Sequence, residues 1–237
     1  MNGSSPLITI GGLTFNIANC LSTLIAAILV FILFFALSRK IEMRPGKAQN
    51  LLEWIVDFTN GIVKQMIPDK GQAQPIMFYV FVMFAFIFVS NQLGLILEIA
   101  VGGQTFVKSP TSSPIVTMAL GTISMVLSHF YCVQQVGFKG YIHHYAEPIW
   151  FLTPINILEE FTNFLTLSLR LYGNIFAGEV LLDLIVKMAG SHGILTWIPS
   201  LLVSMIWQGF SVFIGAIQAY VFVTLSTVYI SHKIVAE

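Results

Sequence analysis

The chain has 237 residues, of which 56% are hydrophobic and only 9% are charged, and its formal net charge is zero. Soluble domains carry about 25% charged residues, so this composition excludes a water-soluble globule and indicates an integral membrane protein. The mean hydropathy of +0.84 points the same way. The first residues, MNGSSPLITIGG, lack a basic segment, so we expect no cleaved signal peptide. Cys20 and Cys132 lie in apolar stretches, where we expect buried thiols and no disulfide.

Five apolar segments are long enough to cross a bilayer, which takes about 20 residues. In chain order they lie at about 17–37, 76–101, 115–136, 155–187 and 195–231. The last two would measure about 45–50 Å at 1.5 Å per residue, so they must tilt strongly or protrude from the membrane. Between the first two, the segment at about 48–67 places apolar residues on one helical face and charged residues on another, which predicts an amphipathic helix on the membrane surface.

These segments predict an all-α integral membrane protein with a single membrane domain over residues 1–237. It would contain about five membrane helices and one amphipathic interfacial helix, with the last two membrane helices long and strongly tilted. Asn91, Gln92 and Glu98 close the second span, and we expect them at an interfacial end.

The distribution of Lys and Arg predicts the orientation. Six of these residues fall between the first two spans: Arg39, Lys40, Arg44, Lys47, Lys64 and Lys70. Cytoplasmic loops carry the excess of basic residues, so we expect this segment inside the cell. Five spans then place the N-terminus outside and the C-terminus in the cytoplasm.

The fourth span contains charges that a bilayer does not readily accept, in the stretch LTLSLRLYGNIFAGEVLLDLIV. An arginine at the centre of a membrane helix costs at least about 2.5–3.5 kcal/mol. Glu159 precedes Arg170 by eleven residues and shares its helical face, about 16 Å towards the cytoplasm. Glu179 follows Arg170 by nine residues and falls on the opposite face, about 13 Å outward, where Asp183 joins it.

This pattern combines a permanent cation with carboxylates that can titrate. An arginine stays charged at any physiological pH, so it can attract a carboxylate and block the passage of cations, whereas carboxylates can relay protons. The pattern therefore predicts a barrier between two ion routes. A structural ion pair between membrane helices is the alternative interpretation. Ser211 and Gln218, which share a face of the fifth span, either line such a route or form interhelical hydrogen bonds.

The segment LSLRLYGNIFAGE closely resembles a block of subunit a of F-type ATP synthases. Within this family the sequence most resembles the Bacillus-like bacterial members. Four further blocks resemble the same family in the same order: RPGKAQNLLEWIVDF, FVSNQLGLI, TPINILEEF and AIQAYVFVTLSTVYIS. The resemblance covers nearly the whole chain.

The resemblance implies a stator ion-channel subunit, with two offset half-channels that pass protons to and from carboxylates of the c-ring. Arg170 matches the arginine that faces those carboxylates. The other residues that the resemblance places along the ion route are Glu179 on the outer side, Glu159 on the cytoplasmic side, and Asn174 and Gln218. From the spacing along the helices, Asp183 and Ser211 are two further candidates for this route. Some members carry His at the position of Ser211, and some carry a carboxylate at the position of Gly94.

The implied partners are the c-ring, the peripheral-stalk b subunits and the lipid bilayer of a bacterial plasma membrane, with no nucleic acid. We expect no cofactor, no metal site and no nucleotide or catalytic site in this chain. The coupling ion, H⁺ or Na⁺, stays open because the carboxylate that binds it would lie on the ring.

A stand-alone proton- or cation-coupled secondary transporter is the alternative function. It would favour inverted repeats and broken helices, which the sequence does not display. A haem-binding subunit would need paired axial ligands, and His129 is the only histidine well inside a predicted span.

Overall fold

The computed structural model describes residues 7–10, 13–39, 41–96, 99–101, 104–146, 151, 153–190 and 194–234. The described residues contain six α-helices: α1 Ile17–Ser38, α2 Lys47–Met66, α3 Lys70–Ile96, α4 Pro114–Ala146, α5 Thr153–Ala189 and α6 Ile194–Ile234. They also contain four short strands: β1 Leu7–Ile10, β2 Leu13–Asn16, β3 Ile99–Val101 and β4 Gln104–Val107. A 3₁₀ turn, Pro110–Ser112, precedes α4.

The predicted all-α membrane class is confirmed. Among the described residues, four helices are long and apolar enough to cross a membrane: Ile17–Ser38, Lys70–Leu95, Pro114–Gln134 and Thr196–Ile234. The 37-residue α5 is longer than a span requires, but its charged and amide side chains lower its hydropathy. The amphipathic segment predicted at about 48–67 lies in α2.

Two antiparallel hairpins lie outside the predicted pattern. β1 pairs with β2, and β3 pairs with β4. The second predicted span extends to residue 101, but α3 ends at Ile96 and Ile99–Val101 form a strand. In the strand the backbone groups of β3 pair with those of β4, and this local hairpin pairing is a feature that helical periodicity does not report.

The helix starts follow local capping chemistry. Asn16 precedes α1, and its side-chain oxygen accepts from the backbone N–H groups of Ala18 and Asn19, at 3.0 and 3.4 Å. α4 begins with Pro114 at its first position, which requires no backbone donor. The hydroxyl of Ser113, which precedes Pro114, accepts a hydrogen bond from the side-chain amide of Asn19 at 2.8 Å. This bond connects α1 to the start of α4.

The apolar core lies where α2, α3, α4, α5 and α6 meet. Ile76, Leu171 and Phe222 are fully buried in it. α1 lies at the edge with its large apolar side chains exposed, including Phe31 at 71%, as a helix in contact with lipid requires. Cys132 is buried as expected, but Cys20 of α1 is exposed, so that part of the expectation is wrong.

α4 changes direction at Gly137. This residue has φ 77° and ψ 164°, in a region that glycine adopts without the steric penalty of a side chain. The predicted third span ends at residue 136, next to this break. The chain then continues as helix to Ala146. The change of direction brings Tyr141 back towards the part of α4 that precedes Gly137.

Candidate functional site

Arg170 and Glu159 lie on the same open face of α5, and both are exposed. The buried residues of the helix, including Leu171 and Ile175, centre about a quarter-turn from Arg170. Glu179 lies on the other flank of this buried face and is half-buried. The helix thus presents its cation and its outer carboxylate on two different sides.

A cavity of about 210 Å³ lies between α3, α5, α6 and the segment before α4. Its polar lining comes from five side chains: Asn91, Ser109, Asn174, Glu179 and Ser211. The structure therefore brings together three residues that the sequence singled out, Asn174 and Glu179 of α5 and Ser211 of α6. A water molecule takes up about 30 Å³, so the cavity has room for several waters.

Gln218 extends this polar group towards the middle of α6. The side-chain amide of Asn174 donates to its Oε1 at 2.8 Å, and Gln218 is only 4% exposed. Within the described part of the chain, Gln218 Nε2 and Ser211 Oγ are buried without a hydrogen-bond partner. Buried polar atoms are normally satisfied by protein or by water, so these two atoms are suited to hold water between α5 and α6.

Asn91 is a cavity residue that the sequence did not single out as part of the ion route. It was expected at an interfacial end, but it is fully buried and lines the cavity. Its side-chain nitrogen donates to the carbonyl of Gly215 at 2.9 Å, and its oxygen accepts from Thr111 Oγ1 at 2.7 Å. Thr111 in turn contacts Ser109 Oγ at 2.8 Å. Glu98, expected at the same interface, lies outside the described residues.

Gly94 forms a tightly packed part of the cavity wall. A Cβ added there would lie 2.7 Å from Ser109 Cα, so the backbone before α4 leaves no space for a side chain. This wall of the cavity consists of packed backbone, and the carboxylate of the cavity comes from Glu179 of α5.

Trp207 of α6 is a further residue of the cavity wall. Its indole N–H donates to the carbonyl of Gly178 at 3.3 Å, next to Glu179 in the chain. The aromatic residue therefore fixes α6 against α5 at the level of the carboxylate. The sequence gives no local signal for this role, because the contact depends on the register between two helices.

Asp183 lies apart from the cavity in the described structure. Its carboxylate accepts from Lys187 Nζ at 2.6 Å, and the two side chains are 46% and 59% exposed. Such an exposed pair adds little to stability, because solvent screens the two charges. Asp183 follows Glu179 by one helical turn, as the sequence predicts, but it faces the surface of this chain.

Comparison with known proteins identifies the family. The family described as "ATP synthase A chain" matches residues 20–231. The ATP synthase subunit a of Limosilactobacillus fermentum is 53% identical over 237 residues, covering 100% of both chains. That of Enterococcus faecalis is 47% identical over 100% of both chains, and that of Bacillus subtilis is 44% identical over 99% of this chain and 98% of its own. The predicted resemblance is confirmed, and the chain belongs to the ATP synthase A chain family.

Proposed function

We propose that this chain is the stator ion-channel subunit of a rotary F-type ATP synthase, in which two offset half-channels carry protons to and from the carboxylates of a c-ring. One observation carries the proposal: Arg170 lies on the open face of α5, with Glu159 on that face and Glu179 on the other flank beside a polar cavity. Family membership supports the same conclusion. In this role the chain moves ions and contains no catalytic site.

The outer half-channel uses the cavity beside Glu179. Protons enter from outside and reach Glu179 through water held near Ser211. Asp183 lies one helical turn further outward, on the exposed surface of α5. Asn174 and Gln218, which are hydrogen-bonded to each other, continue the polar path towards the face that carries Arg170. A proton leaving this path neutralises a ring carboxylate, which can then rotate into lipid because it no longer carries a charge.

Arg170 separates the two half-channels. A ring carboxylate that returns after nearly a full turn meets the guanidinium, which favours its ionised form, and the released proton leaves past Glu159 to the cytoplasm. Because Arg170 never loses its charge, protons cannot pass directly from Glu179 to Glu159. Each proton that crosses down the membrane potential releases about 2.3 kcal/mol of free energy per 100 mV, and this free energy turns the ring.

The family and the apolar helices make the chain a multi-pass protein of the bacterial plasma membrane. We further propose a single membrane domain with the five spans of the sequence analysis. Its N-terminus lies outside and its C-terminus lies in the cytoplasm. The long α5 and α6 contact the c-ring through the face that carries Arg170, and peripheral-stalk b subunits hold the chain against rotation.

Isolation of the assembled complex tests this function. A tag on this chain is expected to recover a ring of small subunits together with ATP-driven proton uptake into vesicles. A stand-alone secondary transporter would instead move ions in vesicles that contain this chain only. Gradient-driven transport by the isolated chain, with no ring recovered in mild detergent, contradicts the proposal.

Filling the cavity is expected to slow transport. Ser211→Leu places an apolar side chain where Ser211 Oγ faces the cavity, and so displaces water; we expect ATP-driven proton pumping to fall about tenfold or more. Ser211→Ala is the matched control, because it removes the hydroxyl and leaves the space open; it should retain most of the rate. Parent-like rates in both variants, each normalised to assembled complex, would exclude this cavity from the proton path.

A further inference from the structure

A second cluster of polar side chains joins α4, α5 and α6 away from the cavity. We call it the Glu160 clamp; its members are Glu160 of α5, Lys233 of α6, and His129 and Tyr141 of α4. His129 and Tyr141 would be about 18 Å apart along a continuous helix. They meet because α4 changes direction at Gly137, and the Tyr141 hydroxyl lies 3.1 Å from His129 Nδ1.

Glu160 lies at the centre of the clamp. Its Oε1 accepts from Lys233 Nζ and lies 3.1 Å from His129 Nε2. Lys233 Nζ is also 3.1 Å from His129 Nδ1. A neutral imidazole with its proton on Nε2 satisfies these contacts, since it donates to Glu160 and accepts on Nδ1 from Tyr141 or Lys233.

The two charges are largely withdrawn from the surface of the chain. The side chains of Lys233 and Glu160 are 14% and 16% exposed. Removing either partner of such a pair is costly, because the remaining charge is desolvated without compensation. The pair therefore differs from the exposed ion pair of Asp183 and Lys187: the loss of one partner would leave a desolvated charge between α5 and α6.

Neighbouring contacts fix the same end of α6. Cys132 Sγ donates to the carbonyl of Lys233 at 3.3 Å, and Ser128 Oγ donates to the carbonyl of Tyr229 at 3.4 Å. Ser231 Oγ donates to the carbonyl of Met66 at 2.7 Å. Since α4 and the end of α2 both hold α6, the clamp connects α5 to an already fixed support.

The adjacent carboxylates of α5 have different surroundings. Successive residues of a helix are separated by 100°, so Glu160 points towards the packed face while Glu159 stays exposed on the face of Arg170. Glu159 can then meet water or a ring carboxylate. Glu160 is held by the charges of its own chain.

We propose that Glu160 is a positioning residue: it holds α5 against α4 and α6, and thereby aims Glu159 and Arg170 at the ring, without carrying a proton itself. This inference rests on the proposed function, in which Glu159 is the cytoplasmic proton-release group. A displacement of about 1 Å of reacting groups can reduce a rate by about 10²-fold, so the long α5 requires such an anchor.

Replacing the ion pair of Glu160 and Lys233 with a covalent cross-link tests this role. Cys20→Ser and Cys132→Ser are combined with Glu160→Cys and Lys233→Cys, and the assembled complex is treated with a short bifunctional thiol reagent. We expect ATP-driven pumping to fall about tenfold before cross-linking and to recover largely afterwards, with the pH profile of the parent. Cross-linked complexes that stay inactive, or a shifted pH profile after recovery, would show that the Glu160 carboxylate itself is needed.

A second pair of variants decides the question if the cysteine variant does not assemble. Glu160→Gln leaves Lys233 without its counterion, whereas Glu160→Gln with Lys233→Met leaves no unpaired charge. Pumping per assembled complex should be low in the single variant and largely restored in the double variant. Full activity of the single variant, or equal loss in both, overturns the inference.

Glu159→Gln is the control that separates this inference from the proposed function. It should abolish most pumping, and Lys233→Met should not restore it, because the amide of Gln cannot release a proton. If Glu159→Gln pumps normally, the assignment of the cytoplasmic proton route fails, whatever the clamp variants show.

Discussion

Arg170→Ala is expected to abolish ATP synthesis driven by a proton gradient, while the complex still assembles. The substitution removes the charge that attracts a ring carboxylate and that separates the two water paths. Arg170 is exposed on α5, so its loss should leave the packing of this chain intact. The measurement is ATP synthesis by reconstituted vesicles under an imposed gradient.

Arg170→Lys is the control for charge alone. Lysine keeps a positive charge but lacks the planar guanidinium and loses its proton more readily when desolvated, so severe impairment is expected here as well. After removal of the soluble part of the ATP synthase, which makes ATP, vesicles with Arg170→Ala should also let protons leak passively across the membrane. Normal coupled synthesis by Arg170→Ala would remove Arg170 from the mechanism.

Glu179→Gln should give the second large effect. The amide keeps the shape of the side chain in the cavity but cannot titrate, and loss of a positioned proton carrier typically costs about 10²-fold or more in rate. Assembly should be normal, because glutamine still hydrogen-bonds to its surroundings. Proton flux per assembled complex, in both the synthesis and the pumping direction, is the measurement.

Asp183→Asn is the matched control on the same helix. Asp183 lies one turn outward, is exposed and pairs with Lys187, so we expect it to affect only proton entry and to slow flux less than Glu179→Gln. If the two substitutions slow flux equally, the carboxylate in the cavity has no special role. If Glu179→Gln leaves flux unchanged, Glu179 is a packing residue.

Helical geometry alone predicted much of the arrangement on α5. Sequence spacing fixes the angles between Glu159, Arg170 and Glu179 once the segment is known to be helical. The meeting of Asn174, Glu179 and Ser211 depends in addition on how α5 packs on α6, which spacing within one helix does not report. The family resemblance supplied that connection.

The features that sequence reasoning missed depend on packing and strand pairing that the periodicity of a single helix does not report. Asn91 resembles a polar helix end until Thr111 and Gly215 are seen to bind its side chain. The clamp forms because Gly137 turns α4 back on itself, and no spacing within α5 distinguishes Glu160 from the adjacent Glu159 as its partner. Hairpin pairing of β3 with β4 likewise ended α3 earlier than its apolar pattern predicted.

Two separate half-channels require that water reach the carboxylates of α5 from opposite sides of the membrane. An unbroken water path between Glu159 and Glu179 would dissipate the gradient without turning a rotor. Labelling of single cysteines by a membrane-impermeant thiol reagent measures this access directly. The variants are Glu159→Cys, Glu179→Cys and Asp183→Cys, each in a chain with Cys20→Ser and Cys132→Ser, in vesicles of known orientation.

We expect position 159 to react only from the cytoplasmic side, and positions 179 and 183 to react only from outside. The parent chain without cysteines should show no labelling. Reaction of all three positions from the same side would contradict the two-half-channel account of this protein.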